Sequence, residues 1–362
     1  GQYRGGPAFY IEKALGQKWY AWIFALTTVL AMGFLLPGVQ ANAIGNAVDL
    51  AVGGGVLIDS PFGEVSRAKL IVGATIVVIL GIIIFGGVKR IAHFTQVVVP
   101  VMALAYVVCA LVIIAMNISE VPGVIATIGG DAFTPMAGFG AAIGWGVKRG
   151  IYSNEAGQGT GPHAAAAAEV QHPAQQGLVQ AFSVYVDTLL VCSATAFMIL
   201  ITGAYHVTGV EGAVSGGALT AAVDPNSPAF TQLAVESVVT GVGGPFVAVA
   251  LFFFAFTTLL AYYYIAETNV AYIKRTFNIP GLMLVLKFGL MAAVFYGAIR
   301  AASLAWGLGD IGVGLMAWLN IVGILIIFLA AKPAIKALRD YEAQQKAGVK
   351  RYTFDPVALG IK

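Results

Sequence analysis

Polar side chains that could serve chemistry recur within apolar stretches of this sequence, and Asp187 lies near the middle of one of them. Gln176, Gln180 and Ser183 precede it, and the four residues are spaced by 4, 3 and 4 positions. This spacing puts their side chains on one face of a helix. A carboxylate within a membrane helix is costly, so we expect Asp187 either to serve function or to hydrogen-bond a neighbouring segment.

Two adjacent hydroxyl groups, those of Thr257 and Thr258, follow the apolar run FFFAF. Thr258 shares a helical face with Tyr262 and Asn269. Hydroxyl oxygens suit a hard cation such as sodium, by analogy with other hard ions. Threonine hydroxyls in a helix also donate to carbonyl groups of the same helix, so the spacing leaves both roles open.

Glycine is concentrated between Phe133 and Gly161, where eight glycines occur, at positions 138, 140, 144, 146, 150, 157, 159 and 161. Each glycine costs a helix about 1 kcal/mol relative to alanine, so we predict a broken helix over 133–151. Unwound backbone at membrane depth lines a cavity, where it exposes carbonyl and N–H groups to a cation or a zwitterion. Close packing of helices through small residues is the alternative explanation.

Long apolar helices must position these groups. Hydrophobic residues make up 59% of the 362 residues, charged residues make up 10%, and the mean hydropathy is +0.86. Soluble domains are near half apolar and about a quarter charged, so the composition indicates an all-α polytopic membrane protein. We predict eight spans, at 19–50 (bent at Pro37-Gly38), 70–88, 94–116, 133–151 (interrupted), 177–205, 233–272, 282–299 and 304–331.

Basic residues alternate between the predicted loops, which indicates their orientation. One set of loops carries Lys89-Arg90, Lys148-Arg149 and Lys274-Arg275, together with the basic residues of both chain ends. The positive-inside rule makes this set cytoplasmic, including the C-terminus. Lys148 and Arg149 are then expected to anchor the inner end of the broken helix. The chain does not begin with Met, and we expect it to open in a cytoplasmic loop of a longer protein.

An intramembrane aspartyl protease is the rival hypothesis. Asp187 in YVD and Asp310 in GLGD belong to two separate predicted spans, and GxGD resembles the second catalytic motif of the presenilin family. Two carboxylates that share a proton would be the required chemistry. That family has YD without a spacer and a Pro-Ala-Leu motif, neither of which this sequence contains. The two cysteines and four histidines show no spacing typical of metal ligands.

Five segments resemble the alanine or glycine:cation symporter family, the sodium:alanine symporters. They are YRGGPAFYIEKALG (3–16), GVQANAIGNAV (38–48), GVKRGIYSNEAGQGTGPHAAAAA (146–168), VDTLLVCSATAFMIL (186–200) and FAFTTLLAYYYIAE (254–267). The resemblance implies a leucine-transporter-type fold of two five-helix inverted repeats, here lacking the first two core helices. It also implies sodium-coupled import of alanine or glycine, with no cofactor beyond the coupling ion.

The resemblance assigns roles residue by residue. The amino acid would be bound by Gln40, Gly140, Ile143, Gly144 and Tyr262, and sodium would be bound by Thr257 and Thr258. Tyr262 stands where many members have Trp, a departure that bears on the size of the pocket. Pro37-Gly38 likewise replaces the Gly-Asn that other members have before Gln40. We expect Asn154 and Glu155 to cap or gate the cytoplasmic exit, and Asp187 to be a gating or structural polar residue within its span.

The expected organisation has four parts. These are a cytoplasmic loop (1–18), the rest of the first repeat (19–117), the second repeat (118–332) and a cytoplasmic tail (333–362). We expect a monomer in the plasma (inner) membrane that contacts the lipid bilayer, a small amino acid and sodium. The modest net charge of +3 and the scattered basic pairs do not indicate nucleic-acid binding.

Overall fold

A computed structural model describes residues 3–61, 63–133, 142–205, 224, 226–277 and 279–361. The described part is helical apart from one antiparallel hairpin of β1 (Leu57–Ser60) and β2 (Gly63–Ser66). The helices are α1 (Pro7–Tyr10, continued by a π-helical turn Ile11–Leu15), α2 (Lys18–Ala51), α3 (Arg67–Ile84), α4 (Val88–Met116), α5 (Val121–Ala132), α6 (Ala142–Asn154), α7 (Gly161–Ala165), α8 (Pro173–Ile201), α9 (Ala229–Glu236), α10 (Gly243–Lys274), α11 (Leu282–Ile299), α12 (Ala302–Ala331) and α13 (Pro333–Lys346).

Seven helices of the described part are long and apolar enough to cross a membrane, namely α2, α3, α4, α8, α10, α11 and α12. An α-helix of about 20 apolar residues covers the hydrocarbon thickness of a bilayer. These helices correspond to seven of the eight predicted spans. The eighth, at 133–151, includes residues 134–141, which lie outside the described residues, and α6 forms its second half.

The first span contains an irregular turn at the predicted position. A π-helical turn, Ala31–Leu35, ends two residues before Pro37, which cannot donate a helical hydrogen bond to the preceding turn. Gly38 then lies against Gly297 of α11 so closely that a Cβ on Gly297 would be 2.2 Å from the Gly38 Cα atom. Glycine at position 297 therefore permits the close crossing of α2 and α11, whereas a Cβ on Gly38 would make only ordinary contacts, the nearest at 3.6 Å.

The predicted span 233–272 is wrong at its start, because the structure divides it into α9 and α10. The Glu236 carboxylate accepts hydrogen bonds from the backbone N–H groups of Gly241 (2.5 Å) and Gly243 (2.8 Å). Gly241 has φ 80°, a left-handed conformation that glycine adopts without strain. This turn ends α9 and lets α10 begin again as a separate helix.

The core lies where α2 packs against α10, α11 and α12. Phe24 and Ile44 of α2 are fully buried there, as are Phe256 and Tyr263 of α10. These four helices are therefore the frame on which the polar side chains of the candidate site are held.

The tail folds back onto the start of α8. His172, at the N-cap of α8, is fully buried, and its Nε2 atom is 3.2 Å from an Asp340 carboxylate oxygen. Its ring also packs against the rings of Tyr341 and Phe354. The predicted tail, 333–362, thus begins with a helix, α13, that docks on the start of α8.

Candidate substrate and ion site

A polar contact joins the two central helices of the core. Gln40 of α2 donates a hydrogen bond from Nε2 to the Tyr262 hydroxyl of α10 at 3.3 Å. Tyr262 is 2% exposed, and Gln40 is half-buried. Both residues were assigned to substrate binding, and the structure brings them together between two apolar helices. A buried polar pair of this kind can present an amide and a phenol to a small polar solute.

Tyr152 of α6 extends this contact towards α12, and sequence reasoning missed it. Its hydroxyl is close enough to that of Tyr262 to interact electrostatically, and its ring lies 4.9 Å from the ring of Trp306. Gln40, Tyr262 and Tyr152 therefore form one polar cluster that three helices share. The one feature of the sequence that pointed to Tyr152 is its position directly before the residues SNEAG (153–157), within the segment 146–168 that resembles the family.

The glycine-rich segment is only partly described. Gly140 lies outside the described residues, whereas Ile143 and Gly144 belong to the first turn of α6. Ile143 is 61% exposed, and a Cβ on Gly144 would have no described atom within 4 Å. Among the described residues, the first turn of α6 is therefore exposed at positions 143 and 144.

The two predicted sodium-binding hydroxyls point to their own helix. Thr257 donates to the Phe253 carbonyl at 2.9 Å, and Thr258 donates to the Phe254 carbonyl at the same distance. A hydroxyl that donates its proton in this way keeps its oxygen lone pairs for a cation. Both threonines therefore make the hydrogen bonds within their own helix that the sequence left open, and these bonds are compatible with ion binding.

Lys148 and Arg149 of α6 both pair with Asp310 of α12. Lys148 Nζ lies 2.7 Å from one Asp310 carboxylate oxygen, and an Arg149 guanidinium nitrogen lies 3.2 Å from the other. The two cations are midway along α6, and Asp310 is about 12 Å from the first residue of α12 at 1.5 Å per residue. That the two cations anchor the inner end of the broken helix stays a prediction, and the structure adds Asp310 as their shared partner.

Asp187 also has partners of its own. The Ser153 hydroxyl donates to its carboxylate at 2.8 and 3.1 Å, and Asn154 next to Ser153 donates to the Thr188 hydroxyl at 3.1 Å. Asp187 and Thr188 lie in a π-helical turn of α8, Val186–Cys192. The end of α6 is therefore fastened to α8 by two neighbouring hydrogen-bonded pairs.

The contacts of the two aspartates do not support the protease hypothesis. Asp187 accepts hydrogen bonds from Ser153, whereas Asp310 forms ion pairs with Lys148 and Arg149, so the two carboxylates have separate partners and do not share a proton.

Glu155 lies just beyond α6 and has φ 57°, which is rare for a residue with a side chain. Burial raises the pKa of its carboxyl group, the Thr160 hydroxyl opposes this shift, and the negative charge of Asp187 adds to it. The carboxyl group also interacts electrostatically with Tyr152 and Tyr262. Glu155 is therefore placed between the fastened end of α6 and the polar cluster.

Asn320 of α12 is a further polar junction that the sequence did not reveal. It is 1% exposed, its side-chain amide donates to the Gly157 carbonyl at 2.8 Å, and its amide oxygen accepts a hydrogen bond from the Tyr10 hydroxyl. It thus ties the loop after α6 and the N-terminal helix α1 to one point on α12. A single buried asparagine within an apolar span was the available signal.

Taken together, the long apolar helices packed around a buried polar cluster indicate a multi-pass membrane protein. The profile of the sodium:alanine symporter family matches residues 1–356, and the chain belongs to this family. It is therefore a transporter and not an enzyme.

Curated relatives from bacteria resemble nearly the whole chain. YrbD of Bacillus subtilis (strain 168), provisionally named a sodium/proton-dependent alanine carrier protein, is 56% identical over 100% of this chain and 72% of its own length. The sodium/proton-dependent alanine carrier protein of Bacillus sp. (strain PS3) is 48% identical over 92% of this chain and 72% of its own. The amino-acid carrier protein AlsT of Bacillus subtilis (strain 168) is 35% identical over 98% and 68%.

Proposed function

We propose that this protein is a sodium-coupled symporter that imports a small neutral amino acid, alanine or glycine, by alternating access. Its membership of the sodium:alanine symporter family is the observation that carries this proposal. Two similar proteins whose printed names specify alanine carriage, at 56% and 48% identity, support the choice of substrate.

The amino acid binds at the cluster formed by Gln40 and Tyr262. Gly140, Ile143 and Gly144 complete the site through their backbone groups. The N-terminus of a helix carries a partial positive charge and free N–H groups, which favour the carboxylate of the substrate. A substrate held there contacts both α6 and α10, so its binding is sensitive to their relative position.

Sodium binds at Thr257 and Thr258. Their hydroxyl protons are used within α10, and this orients the oxygen lone pairs away from the helix backbone. Thr258 is one helical turn from Tyr262, so an ion there lies close to the amino acid. This proximity is the physical basis for coupling, because each ligand then stabilises the arrangement that the other requires.

Asn154, Glu155 and Asp187 hold the cytoplasmic exit. Their contacts join the end of α6 to the π-helical turn of α8. Opening of the exit separates these pairs, so their stability sets how readily the inward-facing state forms.

The architecture is a five-plus-five inverted repeat of the leucine-transporter type without its first two core helices. In this organisation residues 19–117 belong to the first repeat and 118–332 to the second. Residues 1–18 and the tail 333–362 are cytoplasmic, and the protein is monomeric in the plasma membrane. The π-helical turn in α2, a few residues before Gln40, supports irregular helix geometry near the site.

The proposal is tested with purified protein reconstituted into liposomes. Uptake of labelled alanine is measured with an inward sodium gradient, with an inward proton gradient, and with neither gradient. We expect accumulation that requires the sodium gradient and that unlabelled glycine reduces. Absence of uptake under every cation gradient overturns the proposal, and uptake that only the proton gradient drives overturns the choice of coupling ion.

A further inference from the structure

We propose that Asn320 of α12 is a positioning residue for transport, whose side-chain amide holds the loop after α6 (residues 155–160) in the closed position of the cytoplasmic exit. This inference rests on the proposed function and adds to it the residue that controls when the exit opens. Neither the family nor the names of the relatives assign Asn320 a role.

The hydrogen bonds of the Asn320 amide go to two segments outside α12. The residue is 1% exposed within an apolar span, where an amide without hydrogen-bond partners is costly. Its Nδ2 atom donates to the Gly157 carbonyl at 2.8 Å, and its Oδ1 atom accepts from the Tyr10 hydroxyl. A carbonyl can only accept, so the orientation of the amide is fixed. The Asn320 side chain therefore joins the loop to α1.

The backbone of the loop fits closely around Asn320. Gly157 and Gly159 have φ values of 85° and 86°, left-handed conformations that glycine adopts without strain. A Cβ on Gly159 would lie 2.9 Å from the Asn320 Cγ atom and 2.5 Å from the Cγ atom of Pro7 in α1. The loop thus passes between α12 and α1 with no space for a side chain, so its position depends on both.

The loop transmits its position to the substrate cluster. The side-chain amide of Gln158 donates to the Ile151 carbonyl at 2.5 Å, which satisfies a carbonyl in the last turn of α6. Ile151 directly precedes Tyr152, whose hydroxyl is close to that of Tyr262. A shift of the loop therefore moves the end of α6 relative to Tyr262. Asn320 acts on the substrate site through this chain of contacts, which makes it a positioning residue.

α1 keeps its place when the loop moves, because its other contacts do not involve the loop. Glu12, in the π-helical turn that continues α1, pairs with Arg275 at the end of α10 at 3.6 Å. Ile11 is fully buried, and its side chain would be 3.4 Å from a Cβ on Gly323 of α12. α1 and α12 thus form one fixed surface, and the loop is the part that can leave it.

Two hydrogen bonds suit a contact that opens and closes. Water can replace the Asn320 amide at the Gly157 carbonyl when the exit opens, so the net cost of separation is small. An apolar contact of the same size would instead expose hydrophobic surface to water. The closed position is nevertheless specific, because it requires the amide and the glycine backbone together.

Cys192 of α8 provides a native reporter of the exit. Its Sγ atom is 3.1 Å from the Ser153 hydroxyl at the fastened end of α6, and the sequence has one other cysteine, Cys109. In a Cys109→Ser background, the rate at which N-ethylmaleimide alkylates Cys192 is measured in reconstituted liposomes, in sodium buffer without alanine. Asn320→Ala removes a hydrogen bond that closes the exit, so we expect alkylation to be about fivefold faster.

Three further variants make the test specific. Tyr10→Phe removes only the hydrogen bond that orients the amide, so we expect a smaller increase, and this variant carries the test if Asn320→Ala does not fold. Gly159→Ala forces the loop away from α12, so we expect faster alkylation here too. Asn117→Ala is the control, because the Asn117 amide donates to the Ile113 carbonyl of the adjoining helix α4. Its alkylation rate should match the background protein.

Transport distinguishes positioning from stability. An exit that opens without substrate lets sodium pass alone, so Asn320→Ala should accumulate less alanine at the same sodium gradient, whereas Asn117→Ala should match wild type. A lower melting temperature of Asn320→Ala with unchanged alkylation and accumulation overturns the inference. Wild-type protein that takes up no alanine overturns the proposed function, and normal uptake with equal alkylation in all variants overturns the role of Asn320 alone.

Discussion

The side-chain amide of Asn269 donates a hydrogen bond to Nε2 of His163 at 2.8 Å, within a fully buried contact between α10 and α7. Nδ1 of the same ring is 3.1 Å from the Thr160 carbonyl, which can only accept. The proton is therefore on Nδ1, and the imidazole is neutral. Burial lowers the pKa of His163 to about 4, although the hydrogen bonds oppose this shift.

This neutral histidine makes stability depend on pH. Histidine in the unfolded chain protonates near pH 6.5, whereas His163 in the fold protonates near pH 4, so the unfolded state binds more protons between these values. The contribution of His163 to the free energy of unfolding is complete above pH 6.5. It falls by about 3 kcal/mol as the pH decreases towards 4, because the unfolded chain binds a proton that the folded protein does not. Melting temperatures in detergent across this range should show the loss.

His163→Gln is the matched variant for this prediction, because glutamine can bond Asn269 and does not titrate. We expect it to melt at a lower temperature than wild type at pH 7.5 and to lose less stability between pH 6.5 and 4. An identical pH dependence in wild type and variant would assign the effect to other groups.

Removal of the Thr258 hydroxyl should weaken sodium dependence more than folding. Thr258→Ala deletes one proposed oxygen ligand, so the apparent sodium affinity for alanine uptake should fall about tenfold, corresponding to about 1.4 kcal/mol. Thr268→Ala is the control, because Thr268 makes the same hydrogen bond to the carbonyl four residues earlier. Equal sodium affinity in Thr258→Ala and wild type would exclude Thr258 as a ligand.

The Tyr262 hydroxyl should contribute to the alanine site. Tyr262→Phe leaves the Gln40 amide without this acceptor and removes one polar group from the pocket, at a cost of about 1 kcal/mol. We expect KM for alanine to rise about fivefold while sodium affinity changes little. Tyr263→Phe, which alters a neighbouring buried ring of the core, should leave KM unchanged, and a similar increase in both variants would contradict a specific role.

Docking of the tail should depend on Tyr341. Its ring is 8% exposed and contacts the rings of His172 and Tyr352 at 5.3 and 4.8 Å between centres. Tyr341→Ala removes both contacts, and replacement of a buried aromatic ring by alanine costs about 3 kcal/mol or more. Trypsin should then cleave after Lys346 and Arg351 faster than in wild type.

Glu342→Ala is the control for the tail, because Glu342 is exposed and next to Tyr341 in sequence. Its cleavage rate should match that of wild type. Equal rates for Tyr341→Ala and Glu342→Ala would show that the ring contacts do not hold the tail.

Much of the fold follows from local patterns. Apolar runs predict six of the seven long helices within a few residues, because the hydrocarbon thickness sets the length that each must have. The same criterion fails at 233–272, since Glu236 and Gly241 form a turn that hydropathy does not detect. Gln40 and Tyr262 were also identified in advance, from the family resemblance, but their contact was not.

By itself, the sequence determined the membrane class, most helices, the family and the residue types available for a site. Only the tertiary structure decided which of these residues meet. Asp310 was considered only for the rival protease hypothesis and Lys148 only as an anchor of a helix end, yet their side-chain atoms are 2.7 Å apart on helices separated by about 150 residues. Helical periodicity orders side chains along one helix, whereas pairing between distant helices depends on how their surfaces pack, and no local pattern encodes that packing.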